Sequence, residues 1–185
     1  MAKIAVMGYG TIGSGVVEAI SMNQKSIQKK TGEEITVKYV LDIRDFPGTP
    51  IENLIVHDYQ VIAQDPEISV VVETMGGVEP ANTFVMAMLK AGKSVVTSNK
   101  ALVAEYGVEL METAAANSCN FLFEASVGGG IPIIRPLTTC LTPDVVTEIT
   151  GILNGTTNYI LTEMNQKGVS FEDALKQAQA LGYAE

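Results

Sequence analysis

The segment Gly8-Tyr9-Gly10-Thr11-Ile12-Gly13 spaces three glycines as G-x-G-x-x-G, directly after the apolar run Ile4 to Met7 and at the start of a helical pattern. That arrangement suits a pyrophosphate. Gly8 permits a tight turn, Gly10 lets the backbone approach the phosphates, and Gly13 lets helix and strand pack closely. The helix N-terminus adds free N–H groups and a partial positive charge. At the end of the next apolar run stand Asp42 and Arg44. Asp42 could accept hydrogen bonds from a ribose 2′-hydroxyl, which favours NAD, whereas Arg44 could pair with a 2′-phosphate, which favours NADP. The sequence supports both cofactors.

Two further strings, Glu73-Thr74-Met75-Gly76-Gly77 and Ser98-Asn99-Lys100, stand at the ends of apolar runs. In a doubly wound sheet, strand C-termini face the ligand crevice. Lys100 could donate a proton to a carbonyl oxygen or hold a charged group. A surface lysine that merely opens a helix would be disfavoured by the helix dipole. Glu124 precedes Gly128-Gly129-Gly130 and Pro132. A carboxylate with carbonyl oxygens turned inward suits a hard cation, while spacing alone favours a flexible hinge. His57 is the only histidine and lies in a polar stretch before Asp58, so it reads as a surface residue. Cys119 and Cys140 lack metal-like spacing and read as reduced structural thiols.

These residues need a scaffold that brings strand ends together. The β-branched runs Ile4 to Met7, Ile35 to Leu41, Ser69 to Val72 and Ser94 to Val96 suit parallel strands buried on both faces. Helical patterns over Val16 to Lys30, Pro80 to Ala91 and Lys100 to Ala116 separate them, and Asn120 to Glu124 predicts a further strand. Alternation of this kind predicts an α/β fold, a Rossmann-type doubly wound parallel sheet with right-handed crossovers. The texture then changes. A helix is expected near Ile134 to Leu141, a half-exposed strand over Val145 to Leu153, and a helix over Thr157 to Gln166. Ser170 and Asp173 resemble a capping box for a last helix that Gly182 ends. A nucleotide-binding domain over 1–130 and the start of an α+β substrate and dimerisation domain over 131–185 are expected.

A net charge of −9 without any cluster of Lys or Arg argues against nucleic acid and anionic membranes as partners. A hydrophobic content of 46% is enough to bury a core and argues against disorder. The N-terminus is too quickly interrupted by glycine for a signal peptide, and no run approaches a transmembrane length, so a cytoplasmic protein is expected. The sequence stops just after a helix cap, which suggests that it is the N-terminal part of a longer protein.

Taken together, these strings resemble homoserine dehydrogenase. Thr97-Ser98-Asn99-Lys100-Ala101-Leu102, Gly151 to Ile160 and Ala180-Leu181-Gly182-Tyr183-Ala184-Glu185 add to the segments above, and the resemblance runs the whole length of the sequence. It implies reversible NAD(P)H-dependent reduction of L-aspartate 4-semialdehyde to L-homoserine, in threonine, methionine and isoleucine biosynthesis. It implies that Tyr9, Thr11, Ile12, Arg44 and Lys100 line the cofactor, with Thr74 and Gly182 nearby. Gly155, Thr156, Tyr183 and Glu185 would hold the substrate, and Lys100 and Glu185 would belong to the acid–base constellation. Glu124 and the carbonyls of Val127, Gly129 and Ile131 would bind sodium, against the hinge reading. An aspartate and a second lysine, the usual proton donor, would lie just beyond position 185. Cofactor affinity with little turnover is therefore expected of these residues alone, and a homodimer of the longer protein. The alternative is a standalone dinucleotide-binding module without catalysis.

Overall fold

The β-branched runs form a parallel sheet. The computed structural model describes residues 1–141, 143–152 and 154–184. Its strands are β1 (Ala2–Met7), β2 (Ile35–Leu41), β3 (Ile55–Val56), β4 (Ile68–Glu73), β5 (Ser94–Thr97) and β6 (Phe121–Leu122). They lie in the order β3-β2-β1-β4-β5-β6, every neighbouring pair parallel. This is the strand order of a dinucleotide-binding sheet, with its switch point between β1 and β4. The expected fold class holds for this part of the chain. Burial is deepest at the centre, where Ala5, Val6, Met7, Val71 and Val95 are fully enclosed.

The helices that cover the sheet are α1 (Thr11–Met22), α2 (Gln24–Thr31), α3 (Tyr59–Gln64), α4 (Ala81–Lys90) and α5 (Lys100–Ala116). α4 buries Ala81, Val85, Met88 and Leu89, and α5 buries Leu102, Leu110 and Ala114, the spacing of one apolar helix face. The single helix expected over Val16 to Lys30 is two. It starts five residues earlier, at Thr11, and breaks at Asn23, whose side-chain amide and backbone N–H both donate to Ala19 O, at 2.8 and 3.1 Å. An amide that satisfies the helix end in this way competes with continuing the helix. β3 and α3 are additional to the expected elements. Asp58 caps α3 by accepting the Gln60 N–H at 2.9 Å.

The chain divides into two compact units, Met1–Ile134 and Arg135–Glu185. In the second, Pro136–Cys140 forms a π-type turn, and α6 (Gly155–Lys167) and α7 (Phe171–Ala180) pack through Ile160, Ala174 and Ala178. Ser170 accepts the Asp173 N–H at 3.1 Å, as the capping-box spacing predicts, and Gly182 follows with φ +74°. The strand expected over Val145 to Leu153 does not form at 145–152, and Leu153 lies outside the described residues. An alternating pattern becomes a strand only where a second edge takes its N–H and C=O groups. Among the described residues of this unit no other strand offers one. Val145 and Ile149 are accordingly exposed by 88% and 61%.

Candidate cofactor site

The loop after β1 turns at Gly8, whose φ of +93° favours glycine, and a Cβ there would stand 3.1 Å from the Met75 backbone. Gly13 is tighter. A Cβ on it would lie 1.9 Å from Gly8 O and 2.8 Å from Thr74 Oγ1, so helix and turn can meet only with hydrogen there. Thr74 braces the turn from the neighbouring strand end, its backbone N–H donating to Met7 O at 2.8 Å and its hydroxyl to Gly8 O at 2.9 Å. Gly10 is the opposite case, since a Cβ on it would meet nothing within 4 Å. Gly10 is also the N-cap of α1 and supplies no side-chain acceptor, and no acidic residue stands in the first turn at Thr11 and Ile12. The first N–H groups of α1 are therefore left for an external anion.

At the end of β2, Asp42 is drawn into the protein. Its Oδ2 accepts the Tyr9 N–H at 2.8 Å, and Oδ1 accepts the Arg44 N–H and Nε–H, both at 3.0 Å. Arg44 also donates to Tyr9 O at 3.1 Å and lies over the Phe46 ring, 5.0 Å from its centroid. Arg44, beside Asp42 with fork geometry, brings the carboxyl from its ordinary 3.8 down to about 2. The Asp42 side chain is 7% exposed, while Arg44 is 58% exposed and presents its charge to solvent. Asp42 and Arg44 thus act as one clasp whose outward face is cationic.

His57, expected to be an ordinary surface residue, is exposed but belongs to this cluster. Its Nδ1 lies 2.7 Å from Asp42 O and its Nε2 3.1 Å from an Asp45 carboxylate oxygen. Two acceptors favour the doubly protonated ring, and the bond to Asp42 O is the main cause that raises its pKa above 6.5. A raised pKa contributes stability that is fully present below 6.5 and is lost as pH rises through the folded value. Replacement by Asn should flatten the dependence of Tm on pH above 6.5, measured by thermal denaturation; an unchanged profile would remove this contact.

The crevice continues at the ends of β4 and β5 as a cavity of about 130 Å³, bordered by Ile12, Val16, Thr74, Thr97, Ser98 and Ala125. Asn99 caps α5 by accepting the Leu102 N–H at 3.1 Å, which sets Lys100 as the first residue of the helix, with its side chain exposed. A larger groove of about 250 Å³ between α1, β2 and Pro50–Leu54 is lined without any charged side chain.

Glu124 sits in a 3₁₀ turn after β6, and its Oε1 accepts the N–H groups of Ile133 and Ile134 at 2.5 and 2.9 Å. The carboxylate thereby closes the Val127–Ile131 loop, which reverses at Gly128 and Gly129 with φ of +71° and +60°. A carboxylate with peptide carbonyls is a donor set for a hard cation. No group of three His, Cys, Asp or Glu side chains suited to a metal ion occurs among the described residues. Cys119 and Cys140 are both free thiols.

In the second unit, Gly155 and Thr156 open α6 behind the Asn154 cap, which accepts the Thr157 N–H at 2.7 Å. The Thr156 hydroxyl donates to Tyr183 O, and the Tyr183 ring meets Tyr159 edge-on at 5.2 Å. Gly155, Thr156, Gly182 and Tyr183 are thus gathered together, whereas Glu185 lies outside the described residues.

Two family descriptions match the chain: "Homoserine dehydrogenase, NAD binding domain" over residues 8–124 and "Homoserine dehydrogenase" over 132–185. The chain belongs to the homoserine dehydrogenase family. It is 44% identical to the homoserine dehydrogenase of Bacillus subtilis, covering 99% of this chain and 43% of that protein. Among solved structures, a homoserine dehydrogenase from Thiobacillus denitrificans superposes with a TM-score of 0.88 at 41% identity, over 100% of this chain and 43% of that one. A hyperthermophilic archaeal homoserine dehydrogenase in complex with NADPH gives 0.83 at 27% identity, over 100% of this chain and 62% of that one. The chain thus spans about two fifths of the length of the Bacillus relative. The homoserine dehydrogenase family consists of NAD(P)-dependent oxidoreductases, which accords with the glycine cradle at the β1–β4 switch point. No helix among the described residues is long and apolar enough to cross a membrane.

Proposed function

We propose that this chain carries the cofactor cradle, and part of the substrate site, of an enzyme that interconverts L-aspartate 4-semialdehyde and L-homoserine with NADP(H). The observation that carries the reading is the pairing at the first turn: Gly13 locked against Gly8 O, and Gly10 open above an uncapped helix start. The pyrophosphate would sit on that N-terminus, through Gly8 to Gly13. The solvent-facing cation of Arg44 supports NADP over NAD, because a 2′-phosphate gains a cationic partner there. Asp42 cannot serve a 2′-hydroxyl without giving up Arg44 or Tyr9.

When bound, the nicotinamide supplies or takes the hydride; the residues of the chain position and polarise. Thr74 stiffens the turn, and Lys100 holds a positive charge at the crevice end, where it stabilises an oxygen that gains charge. By the family resemblance, Gly155, Thr156, Tyr183 and Glu185 would serve the amino acid and Gly182 the cofactor. Acid–base work also requires the aspartate and lysine that the family resemblance places beyond position 185. At the length of its relatives, the protein should form a homodimer and reduce NADP⁺ with homoserine, while these 185 residues alone bind cofactor without turnover. Robust homoserine oxidation by these residues alone would overturn the division of labour, and none by the longer protein would overturn the substrate.

Glu124 and the carbonyls of Val127, Gly129 and Ile131 would hold sodium, which would fix the loop. Sodium should therefore raise the Tm of the wild type more than that of Glu124→Gln, compared with potassium at equal ionic strength. Equal shifts in both proteins would dismiss the site.

A further inference from the structure

Glu73 ends β4 and is fully buried. No Lys, Arg or His pairs with it among the described residues. Its Oε1 accepts the Met75 N–H at 2.7 Å, and its Oε2 accepts the Thr97 hydroxyl at 2.5 Å. Thr97 Oγ1 in turn accepts the Asn99 N–H at 2.9 Å, so its own proton is directed to Glu73. The Asn99 amide donates to Gly77 O at 2.6 Å, and its oxygen caps α5. The loop after β4 and the loop after β5 are therefore tied twice, once through Glu73–Thr97 and once through Asn99–Gly77. A buried carboxyl group is costly, and apolar side chains would fill the same space more cheaply.

We infer that Glu73 is a positioning residue for the nicotinamide half of the cofactor, acting through Thr97 and Asn99. The inference rests on the NADP(H) reading above. The β1 turn takes the pyrophosphate and the β2 end takes the adenosine, which leaves the ends of β4 and β5 for the other half. Glu73 borders the cavity at the ends of β4 and β5, but both of its carboxylate oxygens are engaged within the protein, by the Met75 N–H and the Thr97 hydroxyl. It fixes the Met75–Gly77 backbone and the start of α5, hence Lys100, as one platform, so that nicotinamide meets a preset surface.

The test separates the two halves of the cofactor. NADPH and adenosine 2′,5′-bisphosphate, which lacks the nicotinamide half, are titrated into wild type, Glu73→Gln, Thr97→Val and Thr97→Ser. Gln at position 73 turns an amide N–H toward the Thr97 hydroxyl, and Val at position 97 keeps the shape while removing the hydroxyl. Both variants should weaken NADPH by about tenfold or more, leave the bisphosphate within about twofold of wild type, and Thr97→Ser should restore NADPH binding. Thr97→Val carries the comparison if Glu73→Gln folds poorly. Unchanged NADPH affinity, or equal weakening of both ligands, would overturn the positioning role. A wild type that binds neither ligand would instead overturn the NADP(H) reading.

Discussion

Gly13→Ala should abolish measurable cofactor binding and lower the melting temperature. The added Cβ would lie 1.9 Å from Gly8 O, and the obstacle is backbone. Either α1 moves away from β1 or the turn opens, and Thr74 loses its hold on Gly8 O in both cases. Overpacking of this kind costs about 1–3 kcal/mol, which in a chain of this size lowers Tm by roughly 2–4 °C for each kcal/mol. Gly10→Ala is the informative partner. Its Cβ meets nothing within 4 Å of protein, so the fold should stand, while the methyl group enters the space assigned to phosphate. Calorimetric melting with NADPH titration separates them: Gly13→Ala loses stability and binding, Gly10→Ala binding alone. A Gly13→Ala protein with wild-type Tm and affinity would contradict the close-packed turn.

Arg44→Ala should weaken NADPH by about 10- to 100-fold, the worth of a charge-assisted hydrogen bond, and NADH much less. Two effects act together. The 2′-phosphate loses its cation, and Asp42 loses the partner that keeps its negative charge from the ligand. The same substitution should let the Asp42 pKa rise from about 2 toward its ordinary 3.8, which a carboxyl-detected NMR titration would follow. The sign of the linked stability is fixed by that depression. The Asp42 contribution is fully present above about pH 4 and is lost as pH falls toward 2. Equal losses for NADPH and NADH would remove Arg44 as a reader of the phosphate.

The glycine turn was legible in the sequence because each glycine carries its own steric reason, and the strand before it and helix after it are local. The strand runs were legible for the same cause, since β-branched continuity is a local signature of buried parallel strands. Other features depend on contacts between distant positions. His57 joins the end of β2 through a backbone carbonyl fifteen residues away, which leaves no mark on residue type. Glu73 and Thr97 are 24 residues apart, and only the parallel register of β4 and β5 sets them side by side. Asp58, three residues before Val61 and directly before a helical pattern, was a readable cap for α3. The run Val145 to Leu153 shows the reverse error: alternation is necessary for a half-exposed strand, but a partner edge decides it.

As proposed, these residues form an NADP(H) cradle by themselves, whatever the rest of the protein adds. Titration of the 185-residue chain with NADPH, followed by nicotinamide fluorescence, tests it most directly. Saturable one-to-one binding that adenosine 2′,5′-bisphosphate displaces and that Arg44→Ala weakens is the predicted result. No saturable signal, or binding that the bisphosphate leaves untouched, would contradict it.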